Sequence, residues 1–319
     1  MIIREIRLNN IVIPNNVFMA PLAGYTCYPF RILCQDLGAG LTFTEMVSAN
    51  GLNHNDNIAK QIIFTTKREK IKAVQLLGGE PDIMMKAACS EYLKDFDIID
   101  INMGCPVPNV FKSGEGSALL GDIKRAYNII YNCKKSGKII SVKFRVGIKE
   151  NELITSEFAK MCESAGADII SIHGRSRNMM YSGIPYYEQI QQAKSVVNIP
   201  VIANGNIFSK YDADFVMEKT EADGVMIARY GLENPFIFSQ ILGKDIKKSK
   251  RDILIEQINL LEELCSMGIY TDTFALSYIK KICGYFMKKE KGTKKYKQKL
   301  FQSGSMKEIH NIVNEAFIN

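Results

Sequence analysis

Short apolar runs punctuate the chain as far as Ile227, each separated from the next by a longer stretch of mixed character. They are Val17-Phe18-Met19-Ala20, Leu41-Thr42-Phe43-Thr44, Ala73-Val74-Gln75-Leu76, Ile98-Ile99-Asp100-Ile101, Ile140-Ser141-Val142-Lys143-Phe144, Ile169-Ile170-Ser171-Ile172, Val201-Ile202-Ala203 and Val225-Met226-Ile227. β-Branched residues dominate most of them, the pattern of strands buried on both faces of a parallel sheet. Between the runs, apolar positions recur at helical spacing. Ile123, Ala126, Tyr127 and Ile130 follow Asp122, which suits an N-cap, and Ile154, Phe158 and Met161 form another such face. Eight strands alternating with helices predict an α/β fold, a closed (β/α)8 TIM barrel rather than a doubly wound sheet.

After Gly243 the pattern changes. Lys244 to Arg251 is polar and charged, and three helical stripes follow: Ile258, Leu261, Leu264, Cys265; then Phe274, Tyr278, Ile282, Tyr285, Phe286; then Ile309, Ile312, Val313, Phe317. The expected organisation is a barrel over residues 1–243 and a small all-helical domain over 244–319.

Composition narrows the class. The 319 residues, 46% hydrophobic, suffice for one barrel-sized domain and an appendage. No apolar run reaches the ~18 residues of a membrane span, and the first residues lack the features of a signal peptide, so a cytoplasmic protein without membrane contact is expected. A monomer is expected. The eight cysteines form no Cys-x-x-Cys pair, and His54, His173 and His310 lie far apart, which gives no support to a metal site. Most cysteines sit in apolar patterns, as buried small hydrophobes of a reducing compartment. Nearly all of the net charge of +7 falls in residues 244–319. That charge is either a solvated lysine-rich face or a surface for a polyanion.

Barrel enzymes keep their chemistry at the C-terminal ends of the strands. Here each run ends in polar, glycine-rich or titratable residues: Pro21-Leu22-Ala23-Gly24, Glu45, Gln75 with Gly78-Gly79, Asn102-Met103-Gly104-Cys105-Pro106, Lys143 with Arg145, His173-Gly174-Arg175, Asn204-Gly205-Asn206 and Ala228-Arg229. The seventh and eighth ends suit a phosphate, through backbone N–H groups near Gly205 and the charge of Arg229. Lys143 inside an apolar strand is costly to bury unless an anion faces it; otherwise it reaches solvent at the strand end. His173 is a site residue or a satisfied core histidine. Cys105 sits between Gly104 and Pro106, off any apolar stripe, and is a general acid, a nucleophile or an inert loop thiol.

Ala20-Pro-Leu-Ala-Gly-Tyr-Thr-Cys-Tyr-Pro-Phe-Arg31 resembles the opening signature of the tRNA-dihydrouridine synthase family. Thr44-Glu-Met-Val-Ser48 is similar to its second block, and Asp100-Ile-Asn-Met-Gly-Cys-Pro106 with Gly116-Ser-Ala-Leu-Leu120 to its catalytic block. Ile172-His-Gly-Arg175, Val201-Ile-Ala-Asn-Gly205 and Gly224 to Phe238 follow in order, most like the bacterial B-type subfamily. The resemblance implies FMN as cofactor, NADPH as reductant and tRNA as substrate. It puts flavin contacts on Pro21, Leu22, Ala23, Gln75, Lys143, His173, Asn204, Gly205, Asn206, Ala228 and Arg229. It makes Cys105 the proton donor to uracil C5, opposite a hydride at C6. Asn102 would hold the target base. Arg145 and Arg175 are further substrate candidates at the rim. Lys294 and Lys295 are substrate candidates in the tail, with Lys288, Lys289, Lys291, Lys297, Lys299, Tyr285 and Tyr296 around them. Three departures stand out: Cys27 where the family has Asp or Asn, Asn206 where B-type members have Asp, and Ala228-Arg229-Tyr230 in place of Gly-Arg and a small residue. Two rivals to this function are a flavin barrel acting on a free pyrimidine and a non-catalytic RNA-binding barrel.

Overall fold

The computed structural model describes residues 2–288 and 290–317. The chain opens with an element that the run pattern does not announce, an antiparallel hairpin of β1 (Ile6–Leu8) and β2 (Ile11–Ile13) turned at Asn9. Each strand has only three residues, too short for an alternation signal to stand out. Their apolar side chains Ile6, Leu8 and Ile13 pack against Phe18, Phe43, Ile98, Ile139, Ile169, Ile202 and Met226. The hairpin therefore plugs the N-terminal end of the barrel.

The barrel strands are β3 (Val17–Met19), β4 (Phe43–Ser48), β5 (Ala73–Leu77), β6 (Ile98–Met103), β7 (Ile139–Arg145), β8 (Ile169–His173), β9 (Val201–Asn204) and β10 (Gly224–Ile227). They form one eight-stranded sheet, each strand parallel to its neighbours from β4 round to β10 and on to β3. A parallel bridge between Phe18 and Leu41 closes the circle, with Met19 N–H donating to Leu41 O at 2.9 Å and Gly40 N–H to Val17 O at 2.8 Å. The second apolar run differs from expectation: Leu41 makes only the closing bridge, the strand runs on to Ser48, and Glu45 lies within it.

Helices cover the outside. Residues Ile123–Lys134 form one, capped as the sequence suggests, with Asp122 Oδ1 accepting from Arg125 N–H at 3.0 Å. Its buried face is Ala126, Ile129, Ile130 and Cys133, and Tyr127 instead lies on the solvent side stacked on Tyr131. Past Gly243 come four helices, Lys250–Ser266, Asp272–Phe286, Lys294–Gln302 and Met306–Ala316, and no strand among the described residues. Their apolar stripes join the core that surrounds the barrel strands. Polar contacts tie these helices to the loop after β3 and to the helix Tyr28–Asp36 that follows it: Tyr278 Oη donates to Tyr25 O at 3.2 Å, Lys281 Nζ to Gly24 O at 2.9 Å and Gln257 Nε2 to Pro29 O at 2.9 Å.

Candidate active site

Side chains alternate in and out along a strand, so the barrel interior is a set of layers two residues apart. On β6 the inward series runs Ile98, Asp100, Asn102; on β7, Ile139, Ser141, Lys143, Arg145; on β8, Ile169, Ser171, His173. Register puts Ile98 beside Ile139, Asn102 beside Lys143, and Arg145 beside His173, which in turn faces Asn204. The interior thus changes from hydrocarbon at the plugged end to polar and cationic groups at the other.

At that polar end lies a cavity of about 330 Å3, within the range of small-molecule sites. Pro21, Leu22, Ala23, Gln75, Asn102, Cys105, Lys143, Arg145, His173, Arg175, Asn204, Gly205, Asn206, Ala228 and Arg229 all line it. Every barrel residue to which the resemblance gives a flavin, substrate or proton-donor role is there, whereas Gly24, Glu45, Gly78, Gly79 and Gly174 of the strand ends are not in its lining. Lys294 and Lys295 are not: both are exposed on the helix Lys294–Gln302, where Lys295 lies 5.0 Å from the Tyr296 ring. Lys288 pairs with Glu233 at 2.6 Å, and Lys289 lies outside the described residues. Cys27 is buried against Tyr278 and does not reach the cavity; burial pushes its thiol up to about 12.

A buried hydrogen-bond chain sets the Cys105 loop. Ser141 Oγ and Gln75 Nε2 donate to the two oxygens of Asp100 at 2.5 and 2.6 Å. Gln75 Oε1 accepts from Asn102 Nδ2 at 2.9 Å, and Asn102 Oδ1 accepts from the N–H groups of Gly104 and Cys105 at 3.1 and 2.9 Å. Two backbone donors on one oxygen determine which way the Asn102 amide faces. Cys105 O accepts from Ser117 Oγ at 2.7 Å. Gly116 (φ 58°) lets this turn close, since a Cβ there would stand 2.9 Å from Cys105 Cβ. Cys105 is 8% exposed, and burial raises the pKa of its thiol against the pull of Val107 N–H, Arg145 and Lys143. It is therefore a protonated thiol facing the cavity.

Arg145 and Arg175 spend hydrogen bonds on loops. Arg145 donates to Gly104 O at 2.9 Å, Ser176 O at 3.0 Å and Met180 O at 2.9 Å. Arg175 donates to Ser182 O, Gly183 O and, at 2.7 Å, Asn206 Oδ1. Asn206 thus keeps the acceptor that an aspartate would offer there, and its φ of 51° suits an asparagine. Gly205 (φ 136°) brings backbone to the rim where a Cβ would meet Pro185 at 3.0 Å. Burial pulls Lys143 down, aided by Arg145, and pushes Asp100 up. Burial, then the fields of Arg145, Lys143, Arg175 and Arg229, hold His173 well below the usual histidine range, so its ring is neutral.

Sequence reasoning missed the aromatic walls. Tyr25, Tyr181, Phe208, Tyr230 and Tyr285 also line the cavity. Tyr285 comes from the helix Asp272–Phe286 and meets Tyr25 edge to face at 5.5 Å. The Tyr181 ring lies 4.5 Å from the Arg229 guanidinium and 5.6 Å from that of Arg145. Tyr230 follows a strand end and enters the sequence reading only as a departure from the family pattern, and Tyr285 only as a neighbour of the tail's lysines; Tyr25, Tyr181 and Phe208 sit on loops that the strand-end reading does not single out. Among the described residues no group of three or more His, Cys, Asp or Glu is placed to hold a metal ion, and no helix is long and apolar enough to cross a membrane.

A parallel barrel with a cationic, aromatic-walled mouth suits the class of flavin-dependent barrel oxidoreductases, and the family of the sequence places the chain in that class. Residues 18–319 match the sequence profile described as dihydrouridine synthase, and the chain belongs to that family. It is 39% identical to tRNA-dihydrouridine synthase B of Pasteurella multocida over 73% of this chain and 70% of that one. It is 33% identical to tRNA-dihydrouridine synthase B of Pseudomonas putida over 92% of this chain and 88% of that one. In fold it resembles morphinone reductase, with a TM-score of 0.57 at 13% identity over 78% of this chain and 91% of that one.

Proposed function

We propose that the protein is a cytoplasmic tRNA-dihydrouridine synthase that reduces the C5–C6 double bond of a uracil base, with FMN in the barrel mouth and NADPH as its reductant. The observation that carries this reading is Cys105, its loop held by Asn102 and its thiol kept protonated by burial, at the edge of a cavity that also holds Lys143, Arg145, Arg175 and Arg229. The residues fit the cofactor. Lys143, Arg175 and Arg229 offer positive charge to an anionic ring and a phosphate, Gly205 allows close backbone approach, and Pro21, Leu22 and Ala23 supply an apolar wall. When bound, FMN supplies the hydride for C6.

The chain's own residues do the rest. Cys105 donates its proton to C5 as negative charge grows at C5 and O4. Lys143 and Arg145 put positive charge beside that developing anion. Asn102 holds the loop and, at the cavity wall, borders the base. His173, neutral, leaves the site's charge to the lysine and arginines. The base must leave its stack in the folded RNA to arrive here, at a cost of a few kcal/mol. The segment 244–319 acts as the RNA-binding unit: Lys291, Lys294, Lys295 and Lys299 offer exposed charge to phosphates, and Lys297 a half-buried one.

The test is incubation of the FMN-loaded protein with NADPH and a tRNA transcript free of dihydrouridine, with free uridine and dihydroorotate in parallel. Dihydrouridine in the tRNA alone supports the proposal. Turnover of a free pyrimidine with none on tRNA favours the rival barrel reductase. A protein that takes up FMN but reduces nothing favours a binding protein.

A further inference from the structure

Tyr230 follows Arg229 directly, where the family resemblance has a small residue, and Phe208 lies two residues past Asn206. The two rings meet edge to face, centroids 5.6 Å apart at 89°. Both line the cavity, yet Phe208 is 50% exposed, so the pair stands at the rim. It bridges the loop after β9 to the start of the helix Arg229–Glu233, and these are the two strand ends that the phosphate reading rests on.

Neither ring sits on a loose segment. Phe208 N–H donates to Asp212 Oδ2 at 3.0 Å, and Asp212 N–H donates to Ser209 Oγ at 3.1 Å, which caps the helix Lys210–Thr220. Asn206, at positive φ, turns the chain so that Ile207 goes into the core and Phe208 out to the rim. On the other side, Gly231 N–H donates to Ala228 O at 2.9 Å and Asn234 N–H to Tyr230 O at 2.8 Å, a tight turn that presents the tyrosine. Two bulky rings held by two braced turns, in edge-to-face contact across the two phosphate-side strand ends, are a preformed structure at the cavity rim.

We propose that Phe208 and Tyr230 form an aromatic clamp over the phosphate end of the flavin site, which slows the escape of FMN and selects against flavins that extend beyond that phosphate. The proposal rests on the FMN reading. With a flavin phosphate held at Gly205 and Arg229, these rings would stand beside it and would hinder its departure. The second phosphate of a dinucleotide such as FAD would have to pass them, whereas riboflavin, which lacks the phosphate, would not reach them.

The test uses the full chain loaded with FMN, riboflavin or FAD, with release followed by the recovery of flavin fluorescence. Phe208→Ala and Tyr230→Ala should each release FMN about three- to tenfold faster, the size an edge-to-face ring pair supports. The double variant should be little faster than either single, because one ring alone makes no pair. Riboflavin release should stay at the wild-type rate in all three. The preference of FMN over FAD should shrink in the variants by a similar factor. Unchanged FMN release, or riboflavin release accelerated as much as that of FMN, overturns the clamp and leaves the flavin reading standing. Failure of the wild-type chain to take up FMN overturns that reading and the clamp together.

Discussion

At the scale of single residues, the site depends on how burial divides the titratable groups. Cys105 is kept protonated by burial although cations surround it, and His173 is kept neutral by burial and by those same cations. Replacement of Cys105 by Ala should leave FMN bound and reduce dihydrouridine formation on tRNA by at least about a hundredfold, the lower end of what a positioned general acid contributes. Undiminished turnover by that variant, measured as dihydrouridine per tRNA, would remove Cys105 from the mechanism. His173 makes a separate prediction for the flavin-free protein. Its folded pKa lies below the unfolded value, so at pH below ~6.5 the unfolded chain binds a proton that the folded chain refuses. Stability therefore falls as pH falls through that value, by up to about 1.4 kcal/mol per pH unit from this group. Urea midpoints measured from pH 7 to pH 5 should decline less steeply in His173→Asn than in the wild type. Parallel declines would show that the imidazole takes its proton in the folded state.

At the scale of elements, the barrel was legible because a strand buried on both faces has to be apolar, and eight such runs stand out against their amphipathic helices. Glu45 shows a limit of that signal: the strand continues past the run through Glu45, Met46, Val47 and Ser48, and a carboxylate within a strand interrupts the apolar pattern. Strand-end chemistry was legible for the same physical reason that barrels work, since the last inward residues of each strand have nowhere to go but the mouth. The hairpin was not, because its strands of three residues are too short to show alternation, and neither were Tyr25, Tyr181 and Phe208 nor the place of Tyr285 in the cavity wall, because these depend on contacts between separate segments. The clearest long-range contact of this kind in the interior is ionic. Arg31, on the helix Tyr28–Asp36, donates Nε and Nη2 to both oxygens of Glu69 at 2.8 and 2.9 Å, and gives its other donors to Thr26 O and Phe64 O. Both side chains are almost wholly buried. Glu69→Gln leaves a buried guanidinium without its counter-charge and should cost about 3–5 kcal/mol of unfolding free energy. Because Arg31 braces the segment that carries Pro21 to Thr26, flavin affinity should fall with it. A denaturation midpoint equal to that of the wild type would mean that Arg31 holds its place through the two carbonyls alone.

At the scale of the whole molecule, chemistry and charge are divided between the barrel and the helices beyond Gly243. The excess positive charge lies beyond Gly243, concentrated between positions 288 and 299, but the contribution of that segment does not stop at charge. Tyr285 enters the cavity wall and Lys281 holds Gly24 O, so the C-terminal helices and the mouth share one structure. The helix Lys294–Gln302 carries its charges one helix away, anchored by buried Leu300 and by Phe301 close to Gly284. Lys291, Lys294, Lys295 and Lys299 are exposed there, and Lys295 and Lys299 flank the Tyr296 ring. If these lysines neutralise RNA phosphates, the affinity for tRNA must fall with salt, by a slope of about 0.7–0.9 in log–log form for each contact. Changing all four to Ala should lower that slope by up to about 3 and weaken binding at low salt, while FMN release and the unfolding midpoint stay near wild type, since none of the four is buried. Turnover should then show a raised KM for tRNA with kcat little changed, because the lysines contribute equally to substrate and transition state. A variant with the wild-type salt slope would assign the tail's lysines to a merely solvated face and move the search for the RNA contacts to the cationic rim itself.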